Sequence, residues 1–177
     1  MFLVIPREKS SNYAAASGDI IDQTCKTCAD RSATTNYDFC LASLQAVPVS
    51  QATNLQGLGL IAMELALANA ADTVSRTKEL LINGTAFDPF VLDCLEDCLG
   101  LYLGTVMTLL DSVGAFLSEH YLNAQMSLSA AMEAVATCEE GFAEKRGVSP
   151  LAKENYDHLQ LCNVALCIIH LLTHVSS

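Results

Sequence analysis

The sequence predicts an all-α protein in which an N-terminal helical hairpin precedes an up-down-up-down four-helix bundle stapled by disulfides. Long segments carry apolar residues at helical spacing, and β-branched residues never form the alternating runs that are typical of strands. Glycine and proline are sparse, at 9 and 4 of 177 residues, so few positions interrupt a helix. A chain of this length is sufficient for one domain with a single core.

Two short helices are predicted first, over about residues 19–31 and 36–46, with the polar segment 32–35 as the turn between them. Cys25 and Cys40 flank this turn. A disulfide between them would therefore staple the two helices into a hairpin.

The first long helix is predicted after Pro48, with Ser50 as its N-cap, and it extends to about residue 81. The second begins where Asp88, a capping residue, is followed by Pro89 at the first helical position, and it extends to about residue 117. A third is predicted over about 121–142. The last opens at Ser149, followed again by proline, and extends to about residue 174. Short connections leave no room for crossovers, so the four helices are expected to be antiparallel neighbours.

Residues 1–17 are excluded from this domain. The apolar start at 1–5 is shorter than the core of a signal peptide, but residues 14–18 (AAASG) resemble a signal cleavage region. We expect residues 1–17 to be a disordered residual leader or a wrongly assigned start, and 18–177 to be the domain, with the hairpin at 18–47 and the bundle at 48–177. No stretch is expected to span a membrane, since the apolar run at 162–172 is too short.

The charge distribution is one-sided. The net charge is −11 at pH 7, and every charged residue from Glu79 to Glu144 is acidic. Nucleic acid is a poor partner because binding it requires a basic surface, and acidic pectin is disfavoured for the same reason. Two interpretations stay open: the acidic residues steer a partner with a basic surface, or they form a solvated face that confers solubility.

Eight cysteines in a small chain favour an oxidising compartment, and hence secretion. Cys98 and Cys138 are equally far from the turn predicted at 118–120, so antiparallel helices would bring them within disulfide reach. Four further cysteines are not assigned to these two bridges. Cys162 and Cys167 are predicted to be buried thiols in the last helix. Cys28 and Cys94 could form a third bridge or pair between molecules.

The chain resembles the plant invertase and pectin methylesterase inhibitors over about residues 19–175. The resemblance rests on short motifs in a fixed order. The matching segments are TC at 24–25, NYDFCL at 36–41, LQGLG at 55–59, DCLGLY at 97–102, ATCEEGF at 136–142 and LCNVAL at 161–166. Within this family, NYDFC at 36–40, LGLY at 99–102 and GFAEK at 141–145 make the chain most similar to a pollen group described as invertase inhibitors.

The resemblance implies a secreted inhibitor, in the cell wall or apoplast, that blocks a plant cell-wall or vacuolar invertase or a pectin methylesterase in a 1:1 complex. Disulfides at Cys25–Cys40 and Cys98–Cys138 match the family pattern. Pectin methylesterase inhibitors of this family dock through the middle bundle helices with acidic and hydroxyl side chains. By this match Thr137 and Glu140 are the predicted target-binding residues, although a satisfied helix hydroxyl and a solvated charge explain them equally simply.

Two departures from the family pattern support an alternative function. The Pro-Lys-Phe motif that invertase inhibitors carry between the second and third bundle helices is replaced by SEHY at 118–121. Gly100, Gly104, Met107 and His120 stand where acidic residues are typical of pectin methylesterase inhibitors. The alternative is a secreted, non-inhibitory pollen or seed protein that kept the bundle and lost its target.

Other kinds of site are weakly supported. Cys25-x-x-Cys28 with Cys94-x-x-x-Cys98 could hold zinc only by using cysteines that the two bridges need, so no metal is predicted. Asn83-Gly84-Thr85 is a candidate N-glycosylation triplet in a surface turn. There is no nucleophile elbow, no Gly-rich phosphate loop and no zinc-binding histidine helix, so we predict no enzymatic activity, cofactor or small-molecule substrate.

Overall fold

The computed structural model describes residues 12–84, 87–144 and 147–175, which contain α-helices and one 3-10 helix, with no strand in these ranges. The α-helices are α1 (Asn12–Arg31), α2 (Tyr37–Gln45), α3 (Leu55–Ile82), α4 (Pro89–Leu117), α5 (Tyr121–Ala143) and α6 (Ala152–Val175), and the 3-10 helix is Pro48–Ala52. The predicted all-α class is confirmed.

Helices α3 to α6 form the four-helix bundle. Helix α4 packs between α3 and α5, and α6 closes the ring by packing on both α3 and α5. The fully buried side chains Leu58, Leu95, Leu109 and Leu128 come from three of these helices and meet in one core. The predicted up-down-up-down topology is confirmed, since each helix of this order packs against the next.

The ends of the bundle helices follow from their capping residues. As predicted, Asp88 caps α4: its side chain accepts a hydrogen bond from the Phe90 amide at 2.9 Å. The prediction of Ser50 as the cap of α3 is wrong. Ser50 lies buried inside the 3-10 helix and donates its hydroxyl to the carbonyls of Leu44 and Val47. The cap of α3 is Asn54, whose side chain accepts from the Gly57 amide at 2.9 Å.

Helix α1 begins earlier than the sequence suggested. It was expected from about residue 19, but its backbone is helical from Asn12, whereas residues 12–17 had been expected to be disordered. Alanine has the highest helix propensity of any residue type, so the run of alanines at 14–16 favours this extension. That residues 1–17 are a residual leader or a wrongly assigned start stays a prediction. Residues 1–11, which carry the rest of the predicted leader, lie outside the described residues.

The expectation that no segment could span a membrane is wrong by length and composition. Both α3 and α4 are long and apolar enough, because each contains an 18-residue window of high mean hydropathy with no more than two charged residues. In the structure both helices pack as members of the bundle, although only 28% of the most apolar window of α4 is buried. Helix α4 therefore presents apolar side chains, among them Leu103, Met107, Leu110 and Leu117, to the outside of the bundle.

The hairpin of α1 and α2 docks on α6. The Gln160 side chain joins the two: its amide oxygen accepts from the Asn36 N–H and its amide nitrogen donates to the Thr34 carbonyl, both at 2.8 Å. The ring of Phe39 meets the ring of Tyr156 edge to face at 6.0 Å. These contacts fix the hairpin turn against the helix that ends the chain.

The structure contains three disulfides. Two are the pairs Cys25–Cys40 and Cys98–Cys138. The third joins Cys28 to Cys167, across 139 residues of sequence. It corrects two expectations, the Cys28–Cys94 bridge and the buried Cys167 thiol, because docking of the hairpin brings α1 against α6 rather than against α4. Cys94 and Cys162 are buried thiols.

A buried imidazole lies between α6 and α3. His158 is fully buried, with Nδ1 at 3.2 Å from the Asn69 side-chain oxygen and Nε2 at 3.4 Å from the Cys162 sulfur. Burial lowers the pKa of His158 to about 4 and raises the pKa of the Cys162 thiol to about 12. Both groups are therefore neutral at pH 7.

Candidate target-binding groove between α4 and α5

An open groove of about 820 Å³ lies between the first half of α4 and the second half of α5. Its lining includes Phe90, Leu101 and both cysteines of the Cys98–Cys138 bridge. The remaining lining is mainly acidic, and the carboxylates that contribute are Asp93, Glu96, Asp97, Glu140 and Glu144. We call this feature the acidic groove.

The antiparallel turn explains why these carboxylates converge. Cys98 and Cys138 have Cα atoms 5.0 Å apart, which fixes the register of the two helices. Glu96 and Asp97 precede Cys98 by one or two positions, and Glu140 follows Cys138 by two, so the pairing of the cysteines brings their carboxylates to one end of the groove. All five carboxylates are on exposed residues, and neither helix contains a lysine or an arginine.

Both predicted target-binding residues line this groove. Glu140 is exposed among the other carboxylates. Thr137 is also exposed, and its hydroxyl donates to the Glu133 carbonyl at 2.9 Å, one turn earlier in α5. The hydroxyl proton of Thr137 is already donated within the helix. A partner that bound this hydroxyl would therefore donate a hydrogen bond to the Thr137 oxygen.

The outer face of α4 becomes apolar beyond the groove. Exposed apolar side chains recur there at helical spacing at Leu103, Met107, Leu110 and Leu117. A side chain added at Gly100 or Gly104 would meet no atom within 4 Å, so this part of the helix surface is open. Helix α4 therefore offers a mixed surface, acidic at one end and mainly apolar along the rest, where Asp111 is an exposed carboxylate.

Comparison with known proteins decides the family. The family model described as "Plant invertase/pectin methylesterase inhibitor" matches residues 19–168. The chain belongs to this inhibitor family. Two curated relatives, both named "Putative invertase inhibitor", are from Platanus acerifolia, 41% identical over 90% of this chain and 88% of the relative, and Platanus orientalis, 40% identical over 88% and 91%.

Other relatives of this family member carry the second target, pectinesterase, in their names. The "Pectinesterase inhibitor" of Actinidia deliciosa is 28% identical over 78% of this chain and 75% of the relative. A crystal structure of a mutant pectin methylesterase inhibitor from Arabidopsis has a TM-score of 0.71 at 24% identity, covering 84% of this chain and 96% of that chain. It shows a shared fold. The proteins named in these comparisons are inhibitors of enzymes, and members of the family are not themselves enzymes.

The turn between α4 and α5 is where Pro-Lys-Phe was expected for an invertase inhibitor of this family. Here α4 ends with two bonds that close its last carbonyls: the Glu119 amide donates to the Phe116 carbonyl at 3.0 Å and the His120 amide to the Ala115 carbonyl at 2.9 Å. Glu119 has a φ of 58°, in the left-handed region that usually favours glycine. Ser118, Glu119 and His120 are all exposed at this end of the bundle.

Two further predictions concern the glycosylation triplet and the cysteines considered for zinc. Asn83 is the exposed C-cap of α3 and donates its side-chain amide to the Glu79 carbonyl at 3.0 Å, while Thr85 of the glycosylation triplet lies outside the described residues. The cysteines proposed for zinc do not form a cluster, since Cys25, Cys28 and Cys98 are all in disulfides with other partners. Within the described ranges, no group of three metal-binding side chains comes together.

Analysis of the sequence missed most of the groove. It named Glu140 but not Asp93, Glu96, Asp97 or Glu144 as neighbours of that residue. The signal was present, because the argument that places Cys98 opposite Cys138 also places the acidic positions beside each cysteine at one end of the helix pair.

Proposed function

We propose that this family member is a secreted inhibitor of a plant cell-wall carbohydrate enzyme, either a pectin methylesterase or an invertase, and that it binds its target 1:1 through the acidic groove. The observation that carries the proposal is the convergence of five exposed carboxylates on a groove whose two helices contain no cation. Such a surface attracts a partner with a basic surface and accelerates the encounter.

The covalent framework supports a binding role. The Cys98–Cys138 bridge lies in the lining of the groove and joins its two walls, so the spacing of the carboxylates is held before any partner arrives. Pre-organised surfaces lose less conformational freedom on binding and so bind more tightly for a given contact area.

The apolar face of α4 adds a second requirement on the target. Leu103, Met107 and Leu110 continue the surface of α4 beyond its acidic end. A target would need basic side chains against the groove and an apolar area against this face. Because the α4–α5 turn lacks Pro-Lys-Phe, the groove rather than the turn would make the main contact with either enzyme.

The proposal is tested by titrating the purified, oxidised protein against a pectin methylesterase and a cell-wall invertase. We expect one of the two enzymes to lose activity at an equimolar ratio. If micromolar protein leaves both enzymes fully active, the non-inhibitory bundle protein is the better description.

A pair of variants then tests the groove. Asp97→Asn with Glu140→Gln should slow association with the inhibited enzyme by roughly tenfold at low salt, and the difference should shrink as salt screens the charges. Glu64→Gln with Asp72→Asn is the matched control, because it removes two exposed carboxylates from α3. Equal inhibition by the groove variant and the unaltered protein would place the contact elsewhere.

A further inference from the structure

A second cavity, of about 280 Å³, lies where the hairpin meets α6. Both sulfur-bearing residues of the Cys28–Cys167 bridge line it, together with Arg31, His170, Thr35 and Asn163. We call it the hairpin cleft. It differs from the acidic groove in charge, because its lining includes a guanidinium and an imidazole but no carboxylate.

The basic side chains are placed one helical turn from each sulfur. Arg31 follows Cys28 by three positions on α1, and His170 follows Cys167 by three on α6, so each shares a helix face with its cysteine. Among the described residues no carboxylate lies within ion-pair distance of Arg31. Its charge is therefore available to the cleft.

The two cysteines of this bridge differ in the exposed fraction of the residue. Cys28 is fully buried, whereas Cys167 is partly exposed. By contrast, Cys25 and Cys40 are fully buried, and Cys98 and Cys138 are 1% and 2% exposed. Cys167 is therefore the most exposed of the six disulfide-bonded cysteines, which favours attack by an incoming thiol at this residue.

We propose that the hairpin cleft is a thiol–disulfide exchange site for a small anionic thiol such as glutathione, which becomes attached to Cys167. The incoming thiolate forms a bond to the Cys167 sulfur while the Cys28–Cys167 bond breaks. The electron pair of that bond leaves on the Cys28 sulfur, which then takes up a proton. No net oxidation occurs, since one disulfide replaces another.

Charge makes the site selective in two ways. Arg31 attracts the carboxylates of the thiol, and the imidazole N–H of His170 can donate a hydrogen bond to them. Arg31 also stabilises the departing Cys28 thiolate, because nearby cations lower the pKa of a cysteine. The Cys98–Cys138 bridge borders the acidic groove, where carboxylates repel an anionic thiol and disfavour a departing thiolate. The same reagent should therefore discriminate between the two bridges.

Exchange would also remove the disulfide that joins the hairpin to the bundle. Cys25–Cys40 lies within the hairpin and Cys98–Cys138 within the bundle, so among the three disulfides only Cys28–Cys167 joins these two parts covalently. After exchange the hairpin is held by its non-covalent contacts, including those of Gln160. The exchange does not depend on whether the chain inhibits an enzyme.

The experiment incubates the oxidised protein with glutathione and, in parallel, with the cationic thiol cysteamine. Samples are quenched with acid, alkylated and mapped as peptides without reduction. We expect glutathione on Cys167 at least about tenfold sooner than any change at the other two bridges, because the cysteines of both are buried and Cys98–Cys138 also borders the acidic groove. Equal rates at all three bridges, or attachment to Cys28, would overturn the proposal.

Variants test the contribution of charge. Arg31→Gln with His170→Gln should lower the ratio of the glutathione rate to the cysteamine rate at this bridge by roughly three- to tenfold. Lys26→Gln is the matched control, because Lys26 is an exposed cation of the same helix that lines a different cavity. All three positions are exposed, and circular dichroism checks that each variant is folded. An unchanged ratio in the double variant would exclude recognition of the anion.

Discussion

Replacing Cys28 and Cys167 together by alanine should destabilise the protein more than removing either of the other two disulfides. The Cys28–Cys167 bridge closes a loop of 139 residues. The Cys98–Cys138 crosslink already bypasses 40 of them, so the effective loop has about 100 residues. Loss of such a constraint on the unfolded chain corresponds to about 4 to 5 kcal/mol. Small domains are stable by only about 5–15 kcal/mol, so the double variant should be close to marginal at 25 °C.

Equilibrium unfolding in urea measures this loss. The slope of the free energy of unfolding against urea should also rise, because an unfolded chain without the crosslink exposes more surface. The control is Cys25→Ala with Cys40→Ala, which opens a loop of only 15 residues and should cost about 3 kcal/mol. If the Cys28–Cys167 variant loses less than about 1 kcal/mol, the unfolded-state argument fails for this protein.

Three further predictions concern single residues. The pKa of His158 is about 4 in the folded protein and near 6.5 in the unfolded chain. The folded state with neutral His158 is therefore fully stable above pH 6.5 and loses stability as the pH falls to 4, because the unfolded chain binds the proton first. About 3 kcal/mol should disappear over that range, and thermal unfolding of His158→Gln should show a much flatter pH dependence. Replacing Gln160 by alanine should cost about 2–3 kcal/mol in urea, since two hydrogen bonds between hairpin and α6 are lost. Glu119→Gly should raise the free energy of unfolding by up to about 1 kcal/mol, because glycine adopts its left-handed backbone without strain, and an unchanged midpoint would contradict this.

Much of the fold could be predicted from local sequence. Apolar spacing and capping residues placed the long helices, and Asp88 followed by Pro89 marked the start of α4 correctly, because these signals act within a few residues of one another. Where a local signal had a competitor, prediction was wrong. Ser50 is a good cap by type, but a proline two residues before it initiates a 3-10 helix that Ser50 joins, and Asn54 caps α3 instead.

The candidate site was predicted in part for the same reason. The Cys98–Cys138 pairing follows from an antiparallel turn at the position that the sequence predicts, whereas Thr137 and Glu140 were predicted from the resemblance to the inhibitor family. The same pairing places the other carboxylates beside the two cysteines. That they border one open groove, together with Phe90 and Leu101, depends on how α4 packs against α3 and α5, and no short segment contains this information.

The sequence by itself determined the helices, their order, the antiparallel pairing of α4 with α5 and the membership of an inhibitor family. Only the tertiary structure decided that the hairpin docks on α6, and with it the Cys28–Cys167 bridge and the basic cleft around that bridge. The physical reason is range. Helix formation and turns depend on neighbours along the chain, whereas the partner of Cys28 is chosen by which of several surfaces the hairpin buries most favourably, 139 residues away.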